Sequence, residues 1–210
     1  MKIIDLSHTL DENIITYDDL EKIYIKKLSS INYDGYEVKR LSLTTHSSTH
    51  VDAPNHMIEN CYSIDKIPLD KFMGKAIVLD CTKYVNTPIP LSVLDNINIS
   101  NYDFIFFYTG ASNRWNKKSF LTNYLAPSKD LIDVLALSNI KGIGIDGISI
   151  DPSTSESFYK HKILFTNNKL IYECLNNLDF FINKDFYFYG VPLKITNGDG
   201  SPIRAFGKII

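Results

Sequence analysis

The stretch "THSSTHVDAPNHM" (45–57) places His46, His50, Asp52 and His56 within eleven residues. No regular element carries all of them to one point. Spread evenly, the five histidines of the chain would put about 0.3 in such a window. Left extended, His46 and His50 would stand about 13 Å apart at roughly 3.3 Å per residue. Two ligands of one ion must each bring a donor atom to about 2 Å from it. A helix unites His46 and His50 but turns Asp52 elsewhere, and Pro54 disfavours helical backbone at Ala53. The remaining solution is a bend at Ser47-Ser48. Beyond it, His50 and Asp52 share a face of an extended segment, and Pro54 keeps the chain extended.

Imidazole together with carboxylate suits Zn²⁺ or Mn²⁺ better than Mg²⁺ or Ca²⁺, which favour all-oxygen cages. Asp52 has two oxygens and can bridge two ions, an arrangement that generates hydroxide and polarises a carbonyl. The competing reading is a polar surface segment in which histidine happens to recur. One histidine alone would favour that reading; three with an aspartate favour metal.

The rest of the chain restricts what surrounds this segment. At 210 residues it suffices for one well-buried domain, read here as spanning 1–210. Runs at 2–7, 21–28, 36–45, 75–82, 103–110, 142–150 and 185–195 are β-branched or aromatic between turn residues and read as strands. "PSKDLIDVLALSN" (127–139) reads as a helix with Ser128 as N-cap and Asp130 in its first turn. A second helix is expected over about 153–165, and "NKLIYECLNNL" fits helix or strand. The fold class expected is therefore α/β (α+β-like), a sheet-rich single domain with flanking helices. A net charge of −2 with scattered basic residues argues against nucleic acid as partner. No apolar run approaches membrane-spanning length. Cys61, Cys81 and Cys174 are widely spaced, which suits free thiols and a cytoplasmic setting.

Other stretches agree with the 46–56 segment in pointing to one family. "His46-Ser-Ser-Thr49-His50-Val-Asp52-Ala-Pro54-Asn-His56" resembles the HxGTHxDxPxH signature of the cyclase family of metal-dependent hydrolases, which includes kynurenine formamidase and isatin hydrolase. "DLSHTL" (5–10), "GIGIDGISIDP" (142–152), "HKILFTNNKLIYECLNNLD" (161–179) and "VPLKITNGDGSPIRA" (191–205) resemble its other blocks in order, so the likeness spans nearly the whole chain. The resemblance implies a swivelling β/β/α fold and two divalent ions, Zn²⁺ or Mn²⁺. His46, His50 and Asp52 would hold one; Asp52 would bridge to a second, held also by His161 and Glu173. His56 would be the catalytic acid/base. Homodimers or homotetramers are implied, and a small-molecule substrate.

The activity implied is hydrolysis of a small amide such as an aryl formamide, N-formylkynurenine being the family's best-known case. Activated water would attack the carbonyl, and His56 would pass the proton to the leaving nitrogen. Lactam or lactone hydrolysis, and a catalytically impaired metal-binding homologue, are the alternatives.

Several positions are weighed separately. Glu173 stands among apolar neighbours, where an unpaired buried carboxylate is costly and a cation is a natural partner. One continuous helix would leave His161 and Glu173 on different faces, so "TNN" (166–168) has to turn the chain. Ser48 stands where the signature has glycine, and serine there costs strain if φ is positive. The N-terminal loop lacks the family's Pro and Gly; Tyr17 is its one aromatic, a candidate substrate contact or a plain packed residue. His8 reads as structural, and Arg114 and Trp115 as either pocket or surface. "GIGIDG" (142–147) matches GxGxxG only formally, because "ISIDPS" follows it rather than a helix. Closely approaching backbones are the better account of its glycines. "NGDGSP" (197–202) reads as a turn-rich loop, not a calcium loop.

Overall fold

The computed structural model describes residues 2–16, 18–122 and 124–209. Tyr17, the candidate substrate contact, lies outside them. The centre of the molecule is built by four strands, β5 (Met73–Asp80), β6 (Phe104–Tyr108), β7 (Gly142–Ile145) and β8 (Leu170–Glu173), paired in parallel in that order. Their apolar runs are continuous because both faces are covered. On β6, Phe104 and Phe106 point into one core with Val78, Tyr172, Phe186 and Phe188, while Ile105 and Phe107 point into the other. That second core is closed by the helices α2 (Lys129–Leu137) and α3 (Tyr159–Thr166) through Leu131, Leu135, Leu164 and Phe165.

Antiparallel strands extend the sheet both ways. On one side come β9 (Phe186–Tyr189), β11 (Phe206–Ile209) and β1 (Ile3–Asp5); on the other, β4 (His50–Asp52) and β10 (Gly200–Pro202). The result is a mixed nine-stranded sheet with few helices, the sheet-rich α/β architecture expected. Strands β2 (Tyr24–Ser29) and β3 (Val38–Ser42), joined through the single-turn helix α1 (Ile31–Asp34), form a separate two-stranded sheet. Every residue of β3 is exposed, although its alternating sequence suggests one buried face.

The glycines of "GIGIDG" sit where the sheet needs them. A Cβ on Gly142 would lie 2.5 Å from the Leu170 carbonyl oxygen, and one on Gly144 would meet Phe106 and Leu175 at 2.7–2.8 Å. No helix follows within the motif, only turns up to Phe158.

Three local expectations are corrected. The helix placed at 153–165 begins only at Tyr159, because Phe158 is left-handed and the preceding Ser-rich residues form turns. Pro54 does not prolong an extended segment; it opens a 3₁₀ turn, Pro54–His56, as its fixed φ allows at a first helical position. The turn-rich loop read at 197–202 gives way at Gly200 to strand β10, which forms by pairing with β4; β11, equally weak in local strand signal, forms by pairing with β9 and β1. At α2, Ser128 caps as expected, accepting a hydrogen bond from the Leu131 N–H at 3.3 Å. The segment ambiguous between helix and strand is strand β8.

Candidate metal centre

The bend at Ser47-Ser48 is present. Residues 45–49 form a turn in which Ser48 adopts φ +58°, and β4 starts at once with His50. Strand β4 lies antiparallel to β8 with His50 opposite Glu173, and to β10 with Gly200 opposite Asp52. Register alone thus brings together three segments far apart in sequence. The fourth arrives through α3. The chain leaves this helix after Thr166, turns at Asn167 and Asn168 (φ +56°) and re-enters the sheet as β8, so His161 faces Glu173.

Three groups of potential ligand atoms result among the described residues, each mutually within 4.8 Å: His46, His50 and Asp52; Asp52, His161 and Glu173; and His46, His56 and Asp199. Asp52 belongs to the first two and is buried, whereas the third is only half-buried. One of its oxygens lies 2.7 Å from His46 Nδ1 and 3.2 Å from His50 Nε2; the other lies 3.8 Å from His161 Nε2. Glu173 stands 3.2 Å from His161 Nε2 and 3.6 Å from His50 Nε2, and accepts the Ile150 N–H at 3.0 Å. His56 is in neither Asp52 group but belongs to the third; its ring packs against that of His46 at 4.1 Å between centroids.

Each of the three imidazoles is held from behind. His50 donates its Nδ1–H to the Ser48 carbonyl at 2.8 Å, and His161 Nδ1 pairs with Asp151 Oδ2 at 2.7 Å. Asp151 also accepts the backbone N–H groups of Lys160 and His161 at the start of α3. The far nitrogen of His46, Nε2, meets Asp199 Oδ2 at 2.9 Å. Outer hydrogen bonds of this kind fix the tautomer and the ring plane of a metal-binding histidine.

The electrostatics call for cations. Asp52 and Glu173 are 1% and 5% exposed and share one pocket, and Asp151 and Asp199 stand directly behind it. Burial opposes charge on His46, yet hydrogen bonds to Asp199 and Asp52 overcome it and hold its pKa up at about 10. His161 is raised likewise to about 10, burial being outweighed by Asp151 and Glu173. His50 is raised against its burial by the charge of Asp52, and Asp52 is pushed well below the usual carboxylate range despite its own burial. Protons on the histidines here do the neutralising that divalent ions would do. With nitrogen and oxygen donors together, the residues fit Zn²⁺ or Mn²⁺.

The cluster floors a cavity of about 350 Å³, within the size range of small-molecule sites. Apolar side chains line it too: Trp115, Phe120 and Ile148, which pack in one cluster, and Met57, which belongs to another. Trp115 is thus a pocket residue, while Arg114 turns away to donate to the Ser119 carbonyl at 2.6 Å. His8 stacks on Trp115 at 4.0 Å, and burial lowers its pKa to about 4, which leaves it a neutral packing partner. Sequence reasoning missed Asp151 and Asp199. The first lies in "GISIDP", an irregular stretch after β7 with no chemical signal of its own. The second sits in "NGDGSP", where only its place between two glycines marked it.

A mixed, sheet-rich α/β fold that closes two ligand triads around one shared carboxylate, beside an apolar cavity, defines the class of the protein. The family model described as cyclase matches residues 4–152, and the chain belongs to that family. It is 33% identical over 208 residues to an uncharacterised protein of Methanocaldococcus jannaschii, covering 97% of each chain. It is 30% identical to a kynurenine formamidase of Geobacillus thermodenitrificans, covering 96% of this chain and 95% of that one. Among solved structures, isatin hydrolase A from Labrenzia aggregata superposes with a TM-score of 0.87 at 24% identity, over 99% of this chain and 93% of that one. A predicted metal-dependent hydrolase from Bacillus stearothermophilus gives 0.83 at 26% identity, over 98% and 97%.

Proposed function

We propose that this chain is a metal-dependent amidohydrolase acting on a small aryl formamide, such as N-formylkynurenine. The observation that carries the reading is Asp52, buried and common to two of the ligand triads at the floor of the cavity. His46, His50 and Asp52 would hold one divalent ion, and Asp52, His161 and Glu173 a second, either Zn²⁺ or Mn²⁺. Bound there, such ions polarise a carbonyl and make water a nucleophile at neutral pH.

The side chains of the protein supply the rest. The apolar side chains of Met57, Trp115, Phe120 and Ile148 pack an aryl group, exclude water from it and leave the amide facing the cluster. His56, in the cavity lining but outside both Asp52 triads, takes the proton from the attacking water as the C–O bond forms. It returns that proton to the nitrogen as the C–N bond breaks, releasing formate and an aryl amine. The full-length likeness to kynurenine formamidases favours a formamide over a lactam or lactone.

The test is a screen of zinc- and manganese-loaded protein against aryl formamides, lactams and lactones. Formate release from formamides that a chelator abolishes supports the reading; opening of lactams alone moves the substrate class, and no turnover of any substrate overturns it. The reading extends to a homodimer or homotetramer in the cytoplasm. A two-stranded sheet alone is marginal in water, and β2–β3 exposes Tyr24, Leu28, Val38 and Leu41, which a second copy would cover. Light scattering that shows a monomer would remove that part. The three thiols stand unpaired, in keeping with a reducing compartment.

A further inference from the structure

The carboxylate of Asp199 joins a ligand of one Asp52 triad to the histidine outside both Asp52 triads, the three forming a half-buried group of their own. Its Oδ2 lies 2.9 Å from His46 Nε2 and 3.4 Å from His56 Nδ1, and its Oδ1 accepts the Thr45 hydroxyl at 2.8 Å. We propose that Asp199 is a positioning residue that locks His46 and His56 into one shared orientation, so that the acid/base is aligned with the metal pair through a single carboxylate. The catalytic half of this rests on the hydrolase reading above.

The atoms leave little choice of roles. His46 presents Nδ1 to Asp52, so Nε2 is its outward nitrogen, and an N–H there needs an acceptor. His50 and His161 find theirs in the Ser48 carbonyl and Asp151; His46 finds Asp199. His56 turns Nδ1 to the same oxygen, which leaves Nε2 as the nitrogen free to carry a proton. The 3.4 Å separation is long for a hydrogen bond, as contacts of a catalytic histidine often are before substrate closes the site.

The backbone is built to hold the carboxylate there. The Asp199 carbonyl accepts the Ala53 N–H at 2.9 Å, and the next residue, Gly200, pairs with Asp52. A Cβ on Gly200 would come within 2.8 Å of the Val51 carbonyl oxygen and 3.0 Å of His46 Cε1. Only glycine lets this strand close over the His46 ring and set Asp199 beside both imidazoles. The chain thus devotes a close backbone approach to a residue that belongs to neither Asp52 triad.

The test compares wild type with D199N, D199A, H56A and D199N/H56A. Metal per chain is measured after loading with Mn²⁺ or Zn²⁺, affinity by chelator competition, and kcat and KM on an aryl formamide. D199N, nearly isosteric, should retain the wild-type number of ions with affinity lowered about 10–100-fold, the usual effect of losing an outer hydrogen bond to a ligand. Its kcat should fall by about the same factor with KM little changed, and adding D199N to H56A should cost nothing further in kcat. D199A, with its fold checked by circular dichroism, should match or exceed these losses.

Loss of an ion in D199N would make Asp199 a ligand and overturn the proposal. So would unchanged metal affinity and kcat, or a full additive loss in the double variant. Should wild type turn over no substrate, the hydrolase reading falls on its own. Equal metal affinity of wild type and D199N would then still refute the hold on His46, and a loss would support it.

Discussion

Replacing Ser48 with glycine should stabilise the metal-free protein. Ser48 adopts φ +58°, the left-handed region, where an L-residue pays about 1–2 kcal/mol. Its hydroxyl is buried and has no hydrogen-bond partner among the described residues, which costs roughly 1–3 kcal/mol. Taking the lower end of each, S48G recovers about 2 kcal/mol. The extra freedom of glycine in the unfolded chain returns about 0.5–1 kcal/mol of that. A net gain of about 1–1.5 kcal/mol remains, which in a chain of this size raises Tm by roughly 2–6 °C. The assay is thermal and urea unfolding in excess chelator, so that bound metal does not contribute by mass action. S48A sheds the unpartnered hydroxyl but keeps the left-handed backbone, and should gain about 1 kcal/mol. A Tm for S48G at or below wild type, with an unchanged urea m-value, would show that the serine is neither strained nor unsatisfied.

Further outcomes follow from the same geometry. His56→Ala should keep the wild-type metal content while turnover falls by at least about 10²-fold; loss of metal would assign His56 to the wrong role. Metal binding has to displace protons from His46 and His161, whose metal-free pKa values stand at about 10, so affinity should climb as pH rises from 6 to 8. Calorimetry in buffers of different ionisation enthalpy would report the protons released, and a pH-independent affinity would refute the charge assignment. For metal-free protein the raised histidines stabilise fully below pH 6.5 and lose that contribution as pH approaches 10. The lowered Asp52 and Asp199 stabilise above pH 3.8 and lose theirs as pH falls below it. Metal-free Tm should therefore peak between about pH 4 and 6.5, and Mn²⁺ or Zn²⁺ should move the optimum upward.

Much of this was legible in order along the chain. Spacing forced a bend at Ser47-Ser48, and the turn is there. The helix 127–139 carried its own cap and periodicity, and α2 lies inside those bounds. Glu173, improbable as an unpaired carboxylate among apolar residues, faces two histidines. The start of α3 was misplaced, because what organises that end is a long reach from Asp151 to the N–H groups of Lys160 and His161 rather than a local cap. The 36–45 run reads as a strand like the others, yet its hairpin stands apart from the main sheet and buries neither face of β3.

Sequence by itself determined which side chains could bind cations and how the local chain must turn to offer them, since ligand chemistry and short-range sterics act within a few residues. Tertiary structure alone decided that β10 would pair with β4, set Asp199 behind His46 and His56, and bring Trp115 into the wall of the cavity. Those contacts depend on strand register and on packing between segments from about 50 to 150 residues apart, and neither leaves a mark in the local pattern of residues.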